Sequence, residues 1–402
     1  MQENKSGKHH LAIEFLTSQE EEKLPATFYG STGQGKCSVA VPGELTINSA
    51  LDEILVSARQ TNASDVHIST HNQIYFKING NLKPQTLGRL TPQQVNNLVH
   101  TGLTPEQFKK FKHSGDIEII YVIKGAGRFR FSLTKKTPGI DLTVRLIPLQ
   151  LYSFEESGMP ESCRELTKWS QGLVLVTGPI GCGKTTTLSV LCEMINQARQ
   201  EHIITIENPI EFVFTPKKCQ ITQRELHLHT LSQANALRAA LRQDPDILVI
   251  SELRDTASIQ LAATAAETGH LVLGTMNTND AAQTILRIVN SFSAEERGLV
   301  QSMLASSLRG IICEQLIPKK DGSGLVPAYE VLLGTGAVSN LIRKGNVDQI
   351  LRVITTGSAE GMVPMDTSLM KLLKEGVITW ESAYGRCTNK QEFEKFRYMR
   401  HV

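Results

Sequence analysis

The chain is short of several things, and each shortage excludes a class of protein. No run of apolar residues approaches the length of about eighteen that a membrane span requires, so any work at a membrane is expected from the cytoplasmic side, through a partner. The seven cysteines (Cys37, Cys163, Cys182, Cys192, Cys219, Cys313 and Cys387) are odd in number and form no CxxC pair. Scattered thiols in a chain of this length point to a reducing, cytosolic compartment and away from a disulfide framework or a zinc site. Aromatic residues make up only 5%, and no basic run is longer than Lys217-Lys218. A nucleic-acid motor stacks bases on aromatic rings inside a basic groove, so no nucleic acid is expected as a partner. Net charge is also nearly absent, 42 Lys and Arg against 40 Asp and Glu. The N-terminal residues contain no apolar core of the kind a signal peptide needs.

What is present is an ordinary globular composition, 40% apolar and 20% charged over 402 residues, enough for two domains and short extensions. Residues 1–45 are polar and Gly-rich and are expected to form a flexible N-terminal arm. Residues 46–148 predict an α+β domain. Helical spacing over 47–58 is followed by alternating strands at 65–69 and 74–78, the latter running into the hairpin turn Asn79-Gly80. A helix is expected after Thr91-Pro92, and strands at 117–122, 127–133 and 143–147. Pro, Gly and Ser punctuate residues 149–165, an expected interdomain linker. Over 166–345, short apolar strands (173–176, 203–206, 247–250, 271–273) alternate with helices, the pattern of a parallel sheet covered on both faces. The sequence beyond Ala281 predicts mostly helix, with a Gly-punctuated patch at 321–324 and a C-terminal helical region over 346–402.

Between the first of those strands and the helix that follows lies Gly178-Pro179-Ile180-Gly181-Cys182-Gly183-Lys184-Thr185-Thr186, a match to GxxxxGK[ST]. Backbone N–H groups must turn inward to hold a phosphate chain, which demands glycine at positive φ. The helix start adds partial positive charge. Lys184 is suited to the phosphates, and the Thr185 hydroxyl to Mg²⁺. Cys182, beside Lys184 and a helix start, is read first as a small residue that fits the turn, and second as a thiol inclined to ionise. Hydrolysis also needs a metal ligand and a group to activate water. Glu207 and Glu252 each end an apolar strand, and in an open α/β sheet ligands bind at the carboxyl ends of strands.

These residues, with Asn208-Pro209, Gln223-Arg224-Glu225, Asp244-Pro245-Asp246, Arg254-Asp255 and Gly269-His270, resemble the secretion ATPases. The closest branch is the PilT-type retraction ATPase of type IV pili, and the likeness extends to the type II secretion ATPases. Outlying matches at Ala63-Ser64-Asp65-Val66-His67, Arg128-Phe129-Arg130, Val144-Arg145 and Ala337-Val338 carry it over about residues 46–390. The resemblance implies a PAS-like α+β N-terminal domain, an α/β RecA-like P-loop NTPase core and C-terminal helices. It implies Lys184 on the phosphates, Glu207 as the water-activating acid, and Glu252 with Thr185 at Mg²⁺. It further implies Arg128, Arg130 and Arg145 as arginines reaching nucleotide phosphates at a subunit junction, and His270 as a catalytic histidine. The implied assembly is a homohexamer that hydrolyses ATP at the cytoplasmic face of the inner membrane, acting on a pilus platform protein or on secretion-complex subunits. Three residues depart from the pattern: Asn208 where Asp is usual, Asn277 where a second histidine is usual, and Ser251 in place of Gly.

Overall fold

The structure, a computed structural model, describes residues 45–86 and 88–399, so the arm expected over 1–45 lies outside it apart from Leu45, and Cys37 lies outside it too. The described residues fall into two compact units divided between Leu149 and Gln150. The first contains α1 (Ala50–Gln60), β1 (Asp65–Ser69), β2 (Tyr75–Ile78), β3 (Asn81–Pro84), α2 (Pro92–Thr101), α3 (Pro105–Ser114), β4 (Asp116–Ile123), β5 (Gly127–Lys136) and β6 (Gly139–Leu146). Its six strands form an antiparallel sheet in the order β3-β2-β1-β6-β5-β4.

Local chemistry sets these elements. The β2–β3 turn has Asn79 and Gly80 both at positive φ, as the twist of a two-residue hairpin requires. Both α2 and α3 open with Thr-Pro and a reciprocal capping box, Thr91 with Gln94 and Thr104 with Gln107. The same signal was present in the sequence for α3, a helix that hydrophobic spacing alone did not indicate. One sheet face is buried by Val66, Ile68, Phe129, Phe131, Leu133 and Val144, packed with Leu51, Ile54 and Leu55 of α1 and Val95 of α2.

The second unit starts with α4 (Phe154–Ser157) and α5 (Ser162–Glu165). This corrects the expected linker over 149–165: Phe154, Met159 and Cys163 are buried, and α4 packs on the helix that follows the phosphate loop. The punctuating residues serve as caps here, Ser153 opening α4 and Gly158 closing it at positive φ. Then come β7 (Gly172–Thr177), α6 (Lys184–Ala198), β8 (His202–Glu207), β9 (Gln220–Glu225), α7 (Gln233–Ala240), β10 (Ile247–Ile250), α8 (Thr256–Glu267) and β11 (Leu271–Met276). They continue with α9 (Ala281–Asn290), α10 (Arg297–Ser307), β12 (Leu308–Pro318), β13 (Leu325–Leu333) and α11 (Gly336–Lys344). Last are α12 (Ile350–Thr356), α13 (Met365–Lys374), α14 (Trp380–Tyr384) and α15 (Lys390–Met399).

The sheet of this unit runs β13-β12-β7-β11-β10-β8-β9, with every neighbouring pair parallel except β12 and β13. Strands β7, β10 and β11 are buried at every position, which is why they appear in the sequence as unbroken apolar runs rather than alternations. The hairpin β12–β13 corrects the expectation of helix beyond Ala281, and the patch at 321–324 is its turn. A buried run such as Ile311-Ile312-Cys313 has no period to separate strand from helix. Helices α13, α14 and α15 close a smaller core with Ile317 and Ala328 of the hairpin.

Candidate active site

Four adjacent parallel strands end together, and each delivers a polar group to one edge of the sheet. Strand β7 leads into the phosphate loop, β11 into Asn277, β10 into Ser251 and Glu252, and β8 ends on Glu207. This carboxyl edge is where an open α/β sheet binds its ligand.

In the loop, Gly178, Gly181 and Gly183 have φ of 149°, 79° and 108°. Side chains rarely adopt such values, and at Gly183 a Cβ would also collide with the Glu314 carboxylate. Pro179, Ile180 and Gly181 are exposed at the crest. Lys184 bends back so that its ammonium donates to the carbonyls of Gly178 and Pro179, each at 2.8 Å. Helix α6 has no side-chain N-cap, whereas α7, α8 and α9 are capped by Ser232, Asp255 and Asp280. Its first-turn N–H groups are therefore left to an anion. Thr185 and Thr186 are half-buried in that first turn. Cys182 is buried and its thiol is pushed upward by burial against the opposing pull of Lys184, so it is a small residue that fits the turn rather than an activated thiolate.

Glu207 is buried, and one of its oxygens accepts two hydrogen bonds, from the Thr205 hydroxyl at 2.6 Å and the Gln223 amide at 2.9 Å. Gln223 is itself fixed, donating to the carbonyl of Phe212 and accepting from the N–H of Phe214. Burial pushes the Glu207 carboxyl up to about 7, against the two hydrogen bonds that favour its charged form. A carboxylate near neutrality is suited to take a proton from water at physiological pH. Thr205 lies two residues before Glu207 on the same face of β8, a spacing legible in the sequence but not singled out there. Gln223 comes from β9, a polar edge strand that lacks an apolar signature.

Glu252 uses both oxygens: Asn277 donates to one at 2.5 Å and Arg254 pairs with the other at 2.6 Å. Asn277 thus orients the acid that follows β10. His270, expected to be catalytic, stands elsewhere in its own subunit. It precedes β11, its ring facing the Ala265 carbonyl at 3.1 Å and its backbone accepting from Gly172. The six residues of β11 separate it from Asn277, about 20 Å of strand. The motif spacing fixed which strand carries this histidine, but it lies at the amino end, away from the loop.

Arg128, Arg130 and Arg145 belong to the first unit, where they share one face of its sheet. Arg128 and Arg130 are two apart on β5, and Arg145 of β6 is directly opposite Arg130. Arg130 pairs with Glu118 at 3.2 Å and Arg145 with Asp65 at 3.0 Å. His67 lies on the same face, with Thr143 as its cross-strand partner.

Sequence reasoning missed a further buried acid at the site. Glu314 of β12 lies behind the loop and accepts from the Thr187 hydroxyl of α6 at 2.7 Å.

Residues 42–343 match the family model described as Type II/IV secretion system protein. The chain is 40% identical over 343 residues to the type IV pilus retraction ATPase PilT of Pseudomonas aeruginosa, covering 85% of this chain and 99% of that protein. It is equally identical, 40% over 343 residues, to a twitching motility protein of Neisseria gonorrhoeae, covering 85% of this chain and 91% of that protein. The crystal structure of the pilus retraction motor PilT with bound ADP superposes with a TM-score of 0.77 at 37% identity, covering 87% of this chain and all of that one. With the loop, the strand-end acids and the α/β core already in place, the chain belongs to the type II/IV secretion system protein family, as an ATPase of PilT-like build.

Proposed function

We propose that this protein is the motor of type IV pilus retraction: a homohexamer at the cytoplasmic face of the inner membrane that hydrolyses ATP to withdraw pilin subunits through a platform protein. The observation that carries this reading is the end-to-end likeness to a pilus retraction ATPase, spanning 99% of that relative, combined with an intact loop, Glu207 and Glu252 at one sheet edge. Among the described residues no helix is long and apolar enough to cross a membrane.

The chemistry follows from the site. The inward N–H groups of the loop and α6 bind the phosphate chain, and Lys184 exchanges its two carbonyl partners for phosphate oxygens. Glu207 accepts the proton of the attacking water, held in place by Thr205 and Gln223. The Thr185 hydroxyl and the Glu252 carboxylate are hard oxygen donors of the kind Mg²⁺ takes, so these two residues would hold it. When bound, Mg²⁺ supplies neutralisation of the phosphate charge. Arg128, Arg130 and Arg145, gathered on one sheet face, would reach the phosphates of a neighbouring subunit. The ring is head-to-tail, because one surface of each subunit must meet a different surface of the next.

The test is made in cells that assemble type IV pili but lack their own retraction ATPase. Wild-type protein should restore fibre shortening and surface twitching, and Glu207→Gln should restore neither. Fibres that stay extended while the purified protein hydrolyses ATP would assign the motor to a different cargo.

A further inference from the structure

Behind the phosphate loop lies a carboxylate that none of the chemistry above uses. Glu314 is 3% exposed on β12, one residue beyond Cys313, which pairs with Thr177 at the end of β7. The strand pairing therefore brings Glu314 directly beneath Gly178, where the loop begins. Its side chain reaches the other end of the loop. One oxygen accepts from Thr187 of α6 at 2.7 Å, and the other occupies the space a Cβ would take at Gly183. The groups facing it are Lys184 from α6, Cys182 from the loop and Tyr329 from β13. Tyr329 directs its hydroxyl to the Ser157 carbonyl at 2.9 Å, so it does not neutralise the acid. Among the described residues the one cation facing it is Lys184, the group the loop needs for phosphate.

We propose that Glu314 is a positioning residue of the nucleotide site: when ionised it opposes the bound phosphates from beneath and holds Lys184 toward the loop, and when protonated it releases both. The physical ground is that like charges buried on opposite sides of one thin loop are little screened by salt. Burial pushes the Glu314 carboxyl up to about 7, while the Thr187 hydroxyl and the Lys184 charge favour its ionised form. Phosphate entry adds negative charge and draws Lys184 away, so ADP binding and proton uptake by Glu314 reinforce each other. The inference rests on the nucleotide-site reading and adds to it a residue that tunes affinity.

The experiment is calorimetric titration of the full chain with ADP in metal-free buffer, for wild type and Glu314→Gln. At about pH 8 the variant should bind ADP about fivefold more tightly or better, and at about pH 6 the two should converge. Glu207 and the nucleotide's own phosphate titrate in the same range, but both are common to the two proteins, so only the difference counts. A purely structural Glu314 gives the opposite sign, weaker binding by the variant at both values. That result, or equal affinity throughout, overturns the proposal. If Glu314→Gln does not fold, Thr187→Val carries the same test. Losing the donor that favours the ionised carboxyl should tighten ADP binding at about pH 8, and unchanged or weaker binding overturns the idea. Absence of ADP binding by the wild type would instead overturn the nucleotide site itself, and the inference with it.

Discussion

At the scale of single residues, the proposed hydrolysis depends on Glu207 being a base held at the edge of its titration. Its carboxyl rises to about 7 because it is buried, and two donors on one oxygen limit that rise. Turnover under saturating ATP should therefore increase with pH through about 7 and then level off, because only the carboxylate accepts a proton. Replacing Thr205 by Val removes a donor that favours the charged form, so the midpoint of the pH–rate profile should move upward while ATP affinity holds. A midpoint indifferent to Thr205 would show that the profile reports some other group. One departure from the family pattern, Asn277, has a structural consequence. Asn277, where a histidine is usual, donates a neutral hydrogen bond to Glu252 and keeps that acid oriented without adding charge.

At the scale of elements, three carboxyls lie within or at the end of apolar strands: Glu207 on β8, Glu314 on β12 and Glu330 on β13, all raised above their ordinary value chiefly by burial. A folded-state value above the unfolded one means the folded chain holds the proton longer. The stability each contributes is complete below the ordinary carboxyl range and is lost as pH rises through its raised value, about 7 for Glu207 and Glu314. For Glu314 the loss amounts to about 3 kcal/mol at most. Glu314→Gln should therefore raise Tm relative to wild type at about pH 8 and narrow that advantage at about pH 5, followed by thermal melts at both. A Tm difference independent of pH would place the effect in packing instead. These elements also show what the sequence could convey. The loop was legible because its backbone demands glycine at three positions, and Glu207 and Glu252 because each interrupts an apolar run at a strand end. Glu314 was not legible, since its partner Thr187 is 127 residues away and no local pattern marks a buried acid within a strand. Strand β9 escaped notice as a polar edge, and β12 and β13 because buried strands carry no period.

At the scale of the whole molecule, the arginines and the phosphate loop belong to different compact units, and the proposed ring completes each site across subunits. Mixing Lys184→Ala protein, which has intact arginines, with Arg145→Ala protein, which has an intact loop, should give more phosphate release than either alone. An arginine supplied from a neighbour contributes on the order of 10³-fold to phosphoryl transfer, so even a minority of repaired junctions is measurable. No gain on mixing would confine Arg145 to its own subunit. The most direct test of the central claim, that the carboxyl edge of the second unit hydrolyses ATP, is steady-state phosphate release by wild-type and Lys184→Ala protein at matched concentration. Removing one charge-stabilising group at the phosphates should lower the rate by about a hundredfold or more. Release by Lys184→Ala at the wild-type rate would contradict the assignment of the loop, and with it the motor built upon it.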